Sequence, residues 1–279
     1  MKTHDLQKLR DQAHDYLIRQ SHPLPTQLVA RRLFGARRHE MPETQVVVRA
    51  LLDGDPRFVR SHDDRWTVLG AEHLHHDLDG VEFAVVDLET TGSVIGVDEI
   101  IEIGAVVMRG GEIIDTFETL VWTDRTIPSW VARLTGICNA DLAGAPTFSD
   151  VALDLHHRLE GRVFVAHDIR FDLPFLRWEF ARRGLTAPAV TGLCTLQLSR
   201  QLWPGLTSRS LGDLARHFGV LHDTPHRAAA DATATAGVLN EVISAAHSLG
   251  LADLGDLLRI AEILAARGDG ELPARVAES

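Results

Sequence analysis

An α/β protein preceded by a small module of different construction is what this sequence predicts, and three observations carry the prediction. From Val81 onward, apolar runs of strand length alternate with longer stretches of helical periodicity. Before that point three helical stretches come first and two short strand-like runs follow. The charge also changes between the two parts. Residues 1 to 69 hold 12 Lys+Arg and 9 Asp+Glu, whereas the remaining 210 residues hold 16 and 30. The overall net charge of -11 therefore hides a slightly basic head on an acidic body, and any phosphate contact made without metal ions falls to the head.

In the N-terminal part, Leu6, Leu9, Ala13, Tyr16 and Leu17 line one face of a helix over residues 6 to 17. A second helix follows Pro25 and Thr26 and stops at Gly35; a third runs from Pro42 to Asp53-Gly54. Arg57 to Arg60 and Arg65 to Leu69 read as two strands around a Ser-His-Asp-Asp turn. In element order and size, residues 1 to 70 resemble a winged helix-turn-helix domain. That resemblance implies a recognition helix with Gln45 and Arg49 one turn apart, and Arg57, Arg60 and Arg65 on the wing, all meeting nucleic acid. The competing reading is a docking or oligomerisation module with solvated arginines. Residues 71 to 80 read as a polar linker, in which His73, His75 and His76 have no element to fix them as metal ligands.

Beyond the linker, strands are expected at 82–87, 100–108, 112–121 and 162–166. Helices are expected around 128–134, 149–159, 173–183, 195–202, 210–217 and 227–246, with a last helix to about Ala266 and a frayed tail. A composition 45% hydrophobic and 24% charged excludes collagen, a disulfide scaffold and a wholly disordered chain. No apolar run approaches the roughly 18 residues of a membrane span. The charged N-terminus is neither a signal nor a transit peptide, so a cytoplasmic protein is expected. Cys138 and Cys194 form no CxxC and fit free thiols in a reducing compartment.

Three segments carry chemistry. FAVVDLETTG delivers Asp87 and Glu89 at the end of an apolar strand, where residues two apart point the same way. Two carboxylates side by side are costly unless a cation neutralises them, and oxygen ligands favour magnesium or manganese over zinc. The bland alternative is a solvated strand end. In HDIRFDLPFL, Asp172 opens a helix after the strand RVFVAH, where an N-cap competes with a ligand role and Pro174 strengthens the cap reading. His167 and Asp168 there are read as fixing the turn. In HRAAADATATAG, five helical residues would span about 500 degrees, so His226 must sit on the loop before the helix that carries Asp231. Phe171 and Phe175 are candidates to stack on a base, with packing of the helix on the sheet as the stronger alternative.

Taken in order, these segments resemble the DEDDh family of 3'-to-5' exonucleases, which includes the proofreading epsilon subunit of bacterial DNA polymerase III; the match spans about Val81 to His247. The resemblance implies a ribonuclease H-like core, a mixed sheet flanked by helices over residues 81 to 248, followed by a C-terminal helix and tail over 249 to 279. It implies two Mg2+ or Mn2+ ions held by Asp87, Glu89, Asp172 and Asp231, with Glu89 helping to place the attacking water and His226 as general base. Thr90, Thr91 and Gly136, in the turns Thr90-Thr91-Gly92 and Leu134-Thr135-Gly136-Ile137, would line the terminal nucleotide. The expected partners are single-stranded or 3'-ended nucleic acid, DNA first, and a polymerase or repair complex. An exoribonuclease and a nucleic-acid-binding regulator with an inactive nuclease fold are the alternatives.

Overall fold

A computed structural model describes residues 3–18, 20, 23–35, 42–55, 57–68 and 77–267. The N-terminal part runs α1 (Thr3–Leu17), β1 (Leu24–Pro25), α2 (Thr26–Phe34), α3 (Pro42–Leu52), β2 (Phe58–Arg60) and β3 (Arg65–Val68). β3 lies between β1 and β2, antiparallel to both. β1 escaped the sequence reading because two residues, one of them proline, show no period. Ala13, Leu17, Val29, Val48, Leu52 and Trp66 close a core between the helices and this sheet. The buried Trp66 indole donates to Thr26 Oγ1 at 2.9 Å, which satisfies its one polar atom. Gly35, at φ 85°, ends α2 where a side chain would be strained.

The second part opens on a single 3-10 turn at Leu78–Gly80 and continues through β4 (Phe83–Thr90), β5 (Ile100–Arg109), β6 (Glu112–Leu120), α4 (Ser129–Thr135), α5 (Phe148–Leu159) and β7 (Val163–Ala166). It ends with α6 (Ile169–Arg182), β8 (Thr191–Cys194), α7 (Thr195–Leu202), α8 (Leu211–Phe218), α9 (Ala228–Ser248) and α10 (Leu254–Arg267). The sheet order is β6-β5-β4-β7-β8, antiparallel on the β6 side of β4 and parallel on the other. β4 is therefore central and covered on both faces. Phe83 and Val85 pack with α9 and α10, while Ala84, Val86 and Leu88 pack with α5 and α6.

Four expectations need correction. β4 continues to Thr90, past the expected end at residue 87, so both motif carboxylates are strand residues. α6 begins at Ile169, with Asp168 as its N-cap, so Asp172 lies in the first turn and is not the cap. β8 was not expected, because Gly192 interrupts its pattern; a Cβ there would overlap the Ile169 side chain. The linker boundary also moves: Leu78 is buried and its N–H donates to Ala252 O at 3.0 Å, so the polar connector ends before residue 77. Residues 69–76, with His73, His75 and His76, and the tail from 268 onward lie outside the described residues. Leu254, Leu257 and Leu258 join the core that holds Leu193 of β8 and Leu198 of α7, the elements on which the last helix packs. Among the described residues no helix is long and apolar enough to cross a membrane.

Candidate active site

Strand alternation places Asp87 and Glu89 on the α9 side of β4, in line with Phe83 and Val85. The neighbouring strand sets Gly104 opposite Asp87 and Glu102 opposite Glu89. Gly104 is required there. A Cβ at that position would overlap the backbone carbonyl of Ala228, so the first turn of α9 rests directly on β5. Glu102, fully buried, holds the same turn: it accepts from Arg227 Nε at 3.0 Å and Nη2 at 2.6 Å, and from Ala228 N at 2.9 Å. The helix N-terminus favours that negative charge.

This contact brings the third motif to the first. Asp231 lies in the first turn of α9 and is buried; His226 precedes the helix on the loop, as the spacing required, at φ 63°. That left-handed conformation is uncommon for a residue with a side chain. It is held by a hydrogen bond from the His226 N–H to Asp231 Oδ2 at 2.9 Å. Ligand atoms of Glu89, His226 and Asp231 all lie within 4.8 Å of one another. Asp172, buried in the first turn of α6, completes the set from the other side of the strand ends. Burial, followed by the charges of Asp172, Asp231, Glu89 and Glu102, pushes Asp87 well above the ordinary carboxylate range. A desolvated, all-carboxylate set of this kind fits a hard divalent cation, which replaces the proton that burial would otherwise hold there.

The remaining predicted residues fall into three groups. Thr90 and Thr91 are buried beside Glu89, with their hydroxyls committed to the turn: Thr90 Oγ1 donates to Gly92 O, and Thr91 Oγ1 donates to Asp98 Oδ1 at 3.1 Å. The Thr91 N–H also donates to Glu99 O at 2.9 Å, which fixes the turn against β5. Gly136, at φ 73°, is the left-handed cap of α4. Phe175 is fully buried in the core on the α5 side, with its ring 4.8 Å from that of Phe171, so Phe175 packs the helix and is withdrawn as a stacking surface. Phe171 is half-buried against the same core. His167 bridges Thr195 Oγ1 and Arg209 O, both at 3.0 Å, in the turn-fixing role expected of it.

The four predicted arginines of the N-terminal part are not brought to this site, and each of the four is engaged by aspartate. Arg49 Nη2 is 2.6 Å from Asp64 Oδ2, Arg57 Nη2 is 2.7 Å from Asp55 Oδ2, and Arg60 Nε is 2.9 Å from Asp53 Oδ1. Arg65 Nε is 3.9 Å from Asp63 Oδ2 and donates to Pro23 O at 3.1 Å. The Arg49 hydrogen bond leads the effects that lower Asp64 to about 2. Gln45 is partly exposed on α3, whose exposed large apolar side chains are Val46 and Val47.

Two residues that the sequence reading missed shape the site, Glu102 and His222; a third, Glu99, braces it. Glu99 accepts from Arg182 Nη1 at 2.7 Å, Arg125 Nε at 3.2 Å and Thr123 Oγ1 at 2.6 Å, and its N–H donates to Thr91 Oγ1 at 3.1 Å. It thereby ties the turn after Glu89 to the helix that carries Asp172. Burial alone would raise the Glu99 carboxyl, but these bonds, Arg182 first, hold it at about 2. The folded value is below the ordinary 4.5, so the stabilisation is complete above pH 4.5 and is lost as pH falls through 2. Glu99→Ala is expected to cost about 3 kcal/mol at neutral pH. Urea unfolding of both proteins from pH 7 downward should show that difference shrinking only below the ordinary carboxylate range.

A mixed sheet with carboxylates gathered from β4, α6 and α9 at its strand ends is a ribonuclease H-like nuclease architecture. The chain belongs to the Exonuclease family, whose profile matches residues 84–239, more than half of its length. It is 36% identical over 181 residues to the 3'-5' exonuclease DinG of Bacillus subtilis (strain 168), covering 64% of this chain and 19% of that protein. It is 36% identical over 169 residues to the DNA polymerase III subunit epsilon of Aquifex aeolicus (strain VF5), covering 60% of this chain and 82% of that one. Among solved structures, exonuclease X in complex with 5'-overhanging duplex DNA matches at 29% identity and a TM-score of 0.50, covering 64% of this chain and 99% of that chain. The chain thus spans about a fifth of the length of the DinG relative.

Proposed function

We propose that the protein is a metal-dependent 3'-to-5' exonuclease that releases nucleoside 5'-monophosphates from nucleic acid, DNA first, in repair or proofreading. The observation that carries this reading is the meeting of Glu89, His226 and Asp231 within 4.8 Å, beside an Asp87 that burial and neighbouring carboxylates push upward. Asp87, Glu89, Asp172 and Asp231 are the residues that would hold two Mg2+ or Mn2+ ions. When bound, those ions would supply the positive charge that lets an acidic site accept a phosphodiester and favours ionisation of water.

The chain's own groups do the rest. His226, exposed on its loop, takes a proton from the attacking water at its imidazole, the role of a general base. Glu89 helps to place that water. Water oxygen bonds to phosphorus in line with the departing 3' oxygen, which leaves with the electron pair of the broken P–O bond and takes a proton from solvent to become the hydroxyl of the shortened strand. The backbone of the Thr90-Thr91-Gly92 turn meets the terminal sugar, and Gly136 and Phe171 flank the same nucleotide. The similarity to the epsilon subunit and to a DNA-bound exonuclease X supports DNA and a polymerase or repair partner. An RNA substrate is the alternative, since the distinction rests on pocket contacts to one hydroxyl. Such work belongs in the cytoplasm.

We read residues 1–70 as a winged helix-turn-helix-like domain and residues 81–248 with α10 as the nuclease domain. Gln45, Arg49, Arg57, Arg60 and Arg65 remain its proposed nucleic-acid face. The aspartates on all four arginines favour the second reading, a docking module, because phosphate contact would have to break those pairs.

Matched 5'-labelled single-stranded DNA and RNA, incubated with Mg2+ or Mn2+ and with chelator, test the reading. A chelator-sensitive ladder shortening from the 3' end is expected, faster on DNA. Faster shortening of RNA would sink the DNA assignment. No shortening of either strand by folded protein that binds them would leave the inactive-fold reading.

A further inference from the structure

Asp231 is held by two histidines, and only one of them belongs to the spacing that marks the third motif. His226 uses its backbone N–H on Oδ2 at 2.9 Å, which leaves its imidazole free of that task. The other oxygen, Oδ1, is met by Nε2 of His222, nine residues before Asp231 on the loop that follows α8. Both side chains of this pair are only 10% exposed. An ionised carboxylate can only accept, so Nε2 is the ring nitrogen that carries hydrogen. On its other side the His222 ring sits against Gly212 of α8, where a Cβ would lie 3.8 Å from Nδ1. The ring is thus wedged between a helix and the carboxylate.

We propose that His222 is a positioning residue for cation binding: its Nε2–H fixes the Asp231 carboxylate so that the remaining lone pairs face Glu89 and His226. The inference rests on the reading of Asp231 as a metal ligand. A carboxylate left with its backbone bond alone can rotate about its terminal torsion, and ordering it again on ion binding costs affinity. Partners of this kind, one step removed from the ion, typically govern about 10- to 100-fold in metal affinity or activity.

The test is calorimetric titration of the full-length, substrate-free protein with Mn2+, alongside thermal melting of the metal-free proteins. His222→Phe keeps the ring's bulk against Gly212 and removes the donor; His222→Gln keeps an N–H donor. The expected result is a Kd for Mn2+ raised about 10- to 100-fold in His222→Phe and only a few-fold in His222→Gln, with similar metal-free melting. Wild-type affinity in His222→Phe, or equal losses in both variants, would overturn the positioning role. A wild-type protein that binds no Mn2+ would instead overturn the cation reading on which it stands.

Discussion

Asp87→Asn is expected to abolish the proposed trimming of 3' ends, by at least about three orders of magnitude in kcat, and to make the metal-free protein melt at a higher temperature. On the proposed reading the first effect follows from losing the central residue of a carboxylate set whose cations would supply several kcal/mol of charge stabilisation, at about 1.4 kcal/mol per factor of ten. The second follows from the electrostatics of the empty carboxylate set. Burial and four neighbouring carboxylates raise Asp87, so ionising it works against the fold. Because its folded pKa lies above the ordinary 3.8, the stability it contributes is complete below that value and is lost as pH rises through the raised one. Asparagine does not titrate. The gap in melting temperature between variant and wild type should therefore open as pH rises from 4 toward neutrality, a trade of stability for activity at one atom pair. Equal melting curves at every pH would show that the carboxylates do not strain one another, and with that the physical case for a cation would weaken.

Gly104→Ala is expected to be the most damaging change of a single methyl group in the molecule. Its Cβ would overlap the Ala228 carbonyl, which is backbone and cannot rotate away, so α9 must lift from β5. Overpacking of this kind costs about 1–3 kcal/mol, and lifting the helix also leaves the buried Ala228 N–H without Glu102, about 1–3 kcal/mol more. The lifted turn carries Asp231 and trails His226, and a displacement of about 1 Å at reacting groups can cost about 100-fold. Denaturant midpoint and kcat should fall together. A variant with unchanged midpoint would contradict the direct seating of α9 on the sheet.

How far the site could be read from sequence depended on whether each residue's role was local. The shared face of Asp87 and Glu89 follows from strand alternation, and the loop position of His226 follows from helical geometry; both needed nothing distant. Asp172 was placed near a helix start, but Pro174 drew that start forward to residue 173, although Asp168 already caps the helix before Ile169. Glu102 did leave a signal. A lone carboxylate inside IIEIGAVVM, in a strand buried on both faces, demands a partner, and that partner is Arg227, 125 residues away. His222 left none, since a histidine in a polar loop has no period to break. In the N-terminal part the arginines were visible, and so were Asp53, Asp55, Asp63 and Asp64 beside them; which charges pair depends on how β2 and β3 fold back toward α3. Phe171 and Phe175 could not be separated by type, because residues one helical turn apart differ here only in depth.

In the proposed function, carboxylates from three elements form one cation-dependent site that hydrolyses the last phosphodiester of a strand. Digestion of single-stranded DNA in oxygen-18 water, before and after chelation and with Mg2+ restored, tests it most directly when the released nucleotides are weighed. Nucleoside 5'-monophosphates that each carry one solvent oxygen on phosphorus are expected, absent under chelator and recovered with the ion. Release of 3'-monophosphates, or release that persists under chelator, would contradict it.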